Sequence, residues 1–417
     1  MTRLPATAEV VVIGGGIVGA WCADVLAAAG VGVVAVERRS LAGGTTAAGE
    51  GNILVSDKLP GPELDLALLA TRTWTELAGD LAGAIELDPK GGVIVAATEA
   101  GLAGLREVTT AQRTAGVDAI DVEAAGLPDL EPHLTREVIG GAHYPQDQQV
   151  QPVLASAHLL HRATSRGATL VTGVEVTGFG RGGDGRITAV HTTAGTIATE
   201  VVVNAAGVAS AEVARLAGVV LGVEPRRGHI LVTEPLPKLI HHKVYDADYV
   251  GTLESGDPDL QVSSVVEGTA SGTILVGSSR ELVGLDRTPN LAAQAAIAAR
   301  AVGLFPVLAR ARVIRSYLGF RPWTPDQLPI IGADERVPGL WHATGHEGAG
   351  IGLAPATALL IAAGITGSTP PLDPTPFSPH RASLTTPADR GTDATGDTAP
   401  TAPTAGGTDA QEAGDAA

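Results

Sequence analysis

One cysteine, one methionine and four residues each of Trp, Tyr and Phe are all that 417 residues carry of these types. The lone Cys22 rules out a disulfide framework, a Cys-x-x-Cys redox pair and a cysteine-ligated zinc or iron–sulfur centre. On an apolar helix it reads as a small buried hydrophobe. Positive charge is also scarce, with 28 Lys and Arg against 45 Asp and Glu and a formal net charge of -17. That balance argues against nucleic acid as a partner, because phosphate binding draws on clustered cations. It also makes any well-placed arginine more noticeable. No apolar run approaches the ~18 residues of a spanning helix, and the N-terminus lacks the basic, apolar and small-residue order of a signal peptide. The expectation is a cytoplasmic protein with no transmembrane segment. With aromatics at 3%, the core has to come from Ala, Val, Leu and Ile, in a chain long enough for two sizeable domains.

Glycine is abundant, and its first cluster is informative. Glu9-Val-Val-Val-Ile-Gly-Gly-Gly-Ile-Val-Gly-Ala runs on to Val33-Val-Ala-Val-Glu-Arg. This is a buried strand, a glycine turn, a helix and a second strand. Gly14 permits the tight turn, Gly16 lets backbone approach a pyrophosphate, and Gly19 lets the helix pack closely on the sheet. The helix opens at Ile17 and Val18, whose end presents N–H groups and partial positive charge to phosphates. Glu37, with Arg38 beside it, can accept hydrogen bonds from the ribose hydroxyls of an adenosine. The motif suits NAD and FAD equally.

Further along, residues 43–55 form a small-residue loop, too glycine-rich for an ordinary helix. Helices are expected over 62–81, 100–115, 151–167 and 291–305, with helical pieces over 122–130 and a last helix over 354–364. Strands are expected over 91–97 and 200–207, the latter placed in one parallel sheet with the first strand because of its run of Val. A hairpin turns at Gly182-Gly-Asp-Gly. Alternating patterns from His229 to Ser279 predict an antiparallel sheet. After about Pro370 the composition collapses to Thr, Ala, Pro, Gly and Asp, and such a tail cannot bury enough apolar surface to offset its ordering entropy.

Five motifs in order carry a resemblance: Val10-Val-Val-Ile-Gly-Gly-Gly-Ile-Val-Gly, Gly44-Thr-Thr-Ala-Ala-Gly-Glu-Gly-Asn, Val201-Val-Val-Asn-Ala-Ala-Gly, Gly319-Phe-Arg-Pro-Trp-Thr-Pro-Asp and Gly345-His-Glu-Gly-Ala-Gly-Ile. Together they resemble the FAD-dependent D-amino acid oxidase superfamily over roughly residues 9–368. The group includes glycine and sarcosine oxidases, D-amino acid dehydrogenases, and the flavoprotein subunits of opine oxidase, hydrogen cyanide synthase and proline or hydroxyproline dehydrogenases. The resemblance implies an α/β fold: a Rossmann-like FAD-binding domain with an inserted α+β substrate domain on a mostly antiparallel sheet. The FAD-binding domain is expected from 1–90, 151–222 and 312–370, the substrate domain from 91–150 and 223–311, and a disordered tail from 380–417.

The same resemblance implies site roles. Thr45, Thr46 and Asn52 would supply donors along the pyrophosphate and ribityl chain, with Gly51 allowing close backbone approach. Val176 would pair with the adenine, and Gly207 would end a strand where a side chain would obstruct the cofactor. Gly348, Gly350 and Ile351, placed before the final helix, would offer N–H groups to the flavin N1–C2=O. Arg321 would form a bidentate pair with a substrate carboxylate, its fork held by Pro322; a structural ion pair with Asp326 or Glu347 is the alternative. Tyr249 and Tyr245 fall where the family often sets a tyrosine over the flavin, and His229 and His346 are further candidates. No cysteine or histidine stands where covalent members attach the flavin, so FAD is expected to be non-covalent, and no metal is expected. The implied activity is oxidation of an amino or imino acid to the imine by hydride transfer to flavin N5. Electrons would pass to oxygen, a quinone or a partner subunit. The alternative is an FAD-holding subunit of a hetero-oligomeric dehydrogenase that needs partner chains.

Overall fold

The opening strand Val10–Ile13 is buried on both faces, which is why it shows an unbroken apolar run rather than alternation. In the computed structural model, which describes residues 4–247 and 259–384, this strand is central to a six-stranded sheet. The order is Ile330–Ala333, Leu340–Thr344, Val201–Asn204, Val10–Ile13, Val33–Glu37, Thr169–Thr172. All neighbours are parallel except the first pair. Val10 stands opposite both Val33 and Val201, so the two valine-rich runs do share one parallel sheet.

One face is covered by the helices Ile17–Ala28, Pro152–Ser165 and Gly350–Thr366, with Pro62–Leu81 packed behind. Trp21 meets Trp74 edge to face there, centroids 5.1 Å apart; such a pair contributes ~1 kcal/mol beyond its burial. The other face carries a separate apolar cluster that includes Ile187, Val190 and Ile197 of a three-stranded antiparallel sheet.

A second, eight-stranded sheet runs Val313–Trp323, Glu224–Thr233, Ile274–Arg280, Gln261–Gly268, Lys243–Asp246, Gly92–Ala96, Gly140–Tyr144, Ile120–Glu123. It is antiparallel except where Lys243–Asp246 meets Gly92–Ala96. Val313–Trp323 belongs here by pairing along its length with Glu224–Thr233. The expected boundary at 312, which gave this strand to the cofactor domain, is therefore corrected.

Three other expectations change. Ile120–Glu123 is an edge strand rather than the start of a helix; only Leu127–Leu130 is helical, with Pro128 in its first turn. The last helix begins at Gly350, not Ala354, so Gly350 and Ile351 form its first turn. Chain order also persists past 380: Arg381 pairs with Asp326, and Leu384 is buried. The rest of the expected tail, 385–417, lies outside the described residues. Among the described residues, no helix is long and apolar enough to cross a membrane.

Candidate functional site

Gly14 has φ 115°, a region open to glycine, and an added Cβ would stand 2.4 Å from the Ala205 carbonyl oxygen. A Cβ on Gly19 would stand 2.0 Å from the Gly14 carbonyl oxygen, so the helix sits directly on the turn. Gly16 is the N-cap and supplies no side-chain cap. Thr46 accepts the Ile17 N–H at 3.1 Å, which places its hydroxyl at the open end of the helix. This is the cradle that the phosphate reading requires.

At the end expected to hold adenosine, Glu37 accepts the Gly15 N–H at 2.8 Å and the Arg39 N–H at 2.7 Å. Val176 begins the strand beside it, and Val174 donates to the Glu37 carbonyl. Arg38 pairs with Glu175 at 3.3 Å on the surface. The predicted adenosine residues are thus gathered in one place.

At the other end, Thr45 donates to the Phe320 carbonyl at 2.7 Å, and Gly207 lies with its Cβ direction toward Thr45. Gly51 has φ 100°, and an added Cβ would meet the Val150 carbonyl oxygen at 1.9 Å. Asn52 gives its amide to Glu50 at 2.9 Å, while its Oδ1 is buried with no hydrogen-bond partner. A cleft of about 390 Å³ opens here, lined by Asn52, Lys58, Glu63, His346, Glu347 and Gly348 among others. The glycine turn, the open helix end and the orphaned Asn52 oxygen together fit a dinucleotide with a polar ring.

His346 donates to Thr357 at 2.9 Å, since that hydroxyl itself donates to the Leu353 carbonyl. Burial holds its imidazole neutral, pushed down to about 3. His229 is buried away from the cleft between Ser279 and the Asn290 N–H. Tyr245 is fully buried and donates to Ser56 at 2.5 Å, so it is a core residue rather than a cover for the ring. Tyr249 lies outside the described residues.

Arg321 sits on the eight-stranded sheet, opposite Arg226 in register. Its Nη1 donates to the Ser279 carbonyl at 2.9 Å. Asp326 is taken by Arg381, but Glu347 lies near Arg321, with Nε and Oε1 3.8 Å apart. Arg226 and Arg280 approach the same oxygen at 3.7 and 3.8 Å. Burial alone would raise the Glu347 carboxyl; the guanidiniums of Arg321, Arg280 and Arg226 and the Gly348 N–H outweigh it and hold the group below its ordinary value. Sequence reasoning weighed Glu347 only as a partner and missed Arg226 and Arg280. The signal for the latter two is strand register, which no local pattern carries.

The family model described as FAD dependent oxidoreductase matches residues 9–363. The chain belongs to that family. It is 29% identical over 384 residues to a glycine oxidase of Pseudomonas putida, covering 89% of this chain and 98% of that one. It is 31% identical over 263 residues to hydrogen cyanide synthase subunit HcnC of Pseudomonas protegens, covering 62% of this chain; the match spans only 59% of that relative's length. The glycine oxidase structure from Geobacillus kaustophilus superposes with a TM-score of 0.81 at 27% identity, covering 90% of this chain and 99% of that one. The protein is an FAD-dependent oxidoreductase with a Rossmann-like FAD-binding fold and an inserted α+β substrate domain, as the motifs implied.

Proposed function

We propose that this oxidoreductase converts an amino or imino acid of the D-amino acid, D-proline or hydroxyproline, sarcosine or glycine type to the corresponding imine, with FAD held non-covalently. The observation that carries this is Arg321. Its guanidinium is fixed on a strand by the Ser279 carbonyl, one residue from the Phe320 carbonyl that holds the cofactor loop. A planar fork held this way matches a carboxylate and fixes the substrate's Cα relative to the cleft. Bound FAD supplies the two-electron acceptor. The chain's own part is positioning: Arg321 takes the carboxylate, and the first turn at Gly350 and Ile351 directs N–H groups toward developing negative charge. His346 stays neutral and adds no competing cation. The α-carbon would give up a hydride to the acceptor and the amine a proton to water; water then adds to the imine and releases ammonia or the amine, leaving an oxo acid.

Non-covalent holding is supported by Cys22, which is wholly buried on the first helix with its thiol pushed up to about 12. The relatives named glycine oxidase and sarcosine dehydrogenase support the substrate class. The test is anaerobic addition of glycine, sarcosine, D-alanine, D-proline and D-hydroxyproline to the purified protein. Bleaching of flavin absorbance with at least one is expected, and none would defeat the proposal. The reoxidant is oxygen, a quinone or a partner subunit. A second reading, a subunit that turns over only with partner chains, is favoured by the relative named as a hydrogen cyanide synthase subunit. It requires flavin reduction without sustained dye-linked turnover by the chain alone.

A further inference from the structure

Three guanidinium groups converge on one carboxylate beside the cleft. Arg226 and Arg280 are 1% and 2% exposed, Arg321 16% and Glu347 10%. Their nitrogens lie 3.7, 3.8 and 3.8 Å from the same Glu347 Oε1. These separations exceed a hydrogen bond, and Oε1 is buried with no hydrogen-bond partner. The other oxygen, Oε2, folds back onto the Gly348 N–H at the cleft rim. Glu347 achieves this with φ 48°, a left-handed backbone that is uncommon for glutamate. It therefore acts on the arginines through charge rather than by a directed bond, from the wall of the cleft.

We infer that Glu347 is a resident counter-anion of the anchor and competes with the substrate carboxylate for Arg321, so that it tunes the affinity of the site for carboxylate ligands. This rests on the reading of Arg321 as the anchor. Two carboxylates at one guanidinium repel, and in a half-buried site that repulsion is poorly screened. Neutralising Glu347 removes it and leaves the arginines in place for the ligand. Glu347 is thus a specificity-setting residue that acts through Arg321.

The probe is propionate, a carboxylate with no amine to oxidise, titrated into the holoenzyme and read from the flavin difference spectrum. Glu347→Gln should bind it about tenfold more tightly than the natural protein, and Glu347→Asp, which restores the charge, should return the affinity toward the natural value. Unchanged or weaker binding in Glu347→Gln overturns the inference and leaves Glu347 as a structural counter-ion. Glu347→Ala is the second variant, with the same tightening expected. Failure of both neutral variants to fold also overturns the inference, because Glu347 would then be a structural counter-ion of the buried Arg226 and Arg280 rather than a competitor for the ligand. Arg321→Ala separates the two levels: if it leaves propionate binding intact, the anchor reading itself fails, whatever Glu347 does.

Discussion

The hydroxyl of Thr45 donates to the carbonyl of Phe320 at 2.7 Å, joining the loop after the second strand to the residue before Arg321. Close by, Ala48 covers Gly319 so tightly that an added Cβ would stand 2.4 Å from the Ala48 Cβ. The loop expected to hold FAD is therefore fastened to the strand expected to hold the substrate. Thr45→Val keeps the shape and removes the donor, leaving the Phe320 carbonyl short of a partner at a cost of about 1–2 kcal/mol. FAD affinity, read by fluorescence titration of the apoprotein, should fall several-fold, and KM for the amino acid should rise with it. A change in one without the other would show that the two sites are not linked through this contact.

Arg321 itself is tested by a change that keeps charge and removes shape. Lysine offers a point charge where the carboxylate needs a planar fork. Arg321→Lys should raise KM about tenfold and Arg321→Ala about a hundredfold. Both should retain flavin absorbance, since Arg321 meets Ser279 and Glu347 rather than the glycine turn. Loss of flavin from either variant would mean that the residue supports the cofactor instead.

Where the sequence was legible, the reason is local. The run Val10–Ile13 and the three valines that open Val201–Asn204 have no polar face, and strands buried on both sides read that way wherever they occur. The glycines at 14, 16 and 19 declare their turn through spacing alone. The start of the last helix is different. Pro355 in its second turn has no N–H for the Ile351 carbonyl, and four nearby glycines suggest a loop. That carbonyl instead receives the indole N–H of Trp74 at 3.2 Å, from 277 positions away. No window of sequence around Pro355 contains that donor. Arg226 was missed for a similar reason, since its place opposite Arg321 follows from the register of two strands far apart in the chain. Ile120–Glu123 is a short, largely exposed edge strand, and its apolar spacing is too brief to separate strand from helix.

Glu37 ties together the turn expected to hold adenosine by accepting from Gly15 and Arg39. Glu37→Gln keeps one acceptor oxygen, so one of the two bonds is lost, the other loses its charge assistance, and any bond to ribose weakens. FAD affinity should fall about tenfold, from a loss on the order of 1.5 kcal/mol. KM of the FAD-saturated variant should stay near the natural value, because Glu37 bonds to Gly15 and Arg39 and does not line the cleft. An equal loss in both quantities would point to a collapsed turn rather than a weakened ribose contact.

Asp147 gives the fold a pH dependence of its own. It is fully buried, with Oδ1 accepting from Val55 at 2.9 Å and Ser56 at 3.3 Å, and Oδ2 meeting the Ser56 hydroxyl that Tyr245 also reaches. Burial pushes its carboxyl up to about 7, against the lowering effect of the Ser56 hydrogen bond. In the unfolded chain the group titrates near ~4. Between those values the folded protein holds a proton that the unfolded chain has released. The contribution of Asp147 is full below ~4 and is lost as pH rises through about 7, on the order of 4 kcal/mol over the window. Asp147→Asn retains an oxygen for Val55 and Ser56 and has no charge to bury. Its stability relative to the natural protein should therefore improve steadily from pH 4 to pH 7. Urea denaturation at several pH values with saturating FAD measures this, and parallel stability curves for the two proteins would mean that Asp147 is ionised throughout.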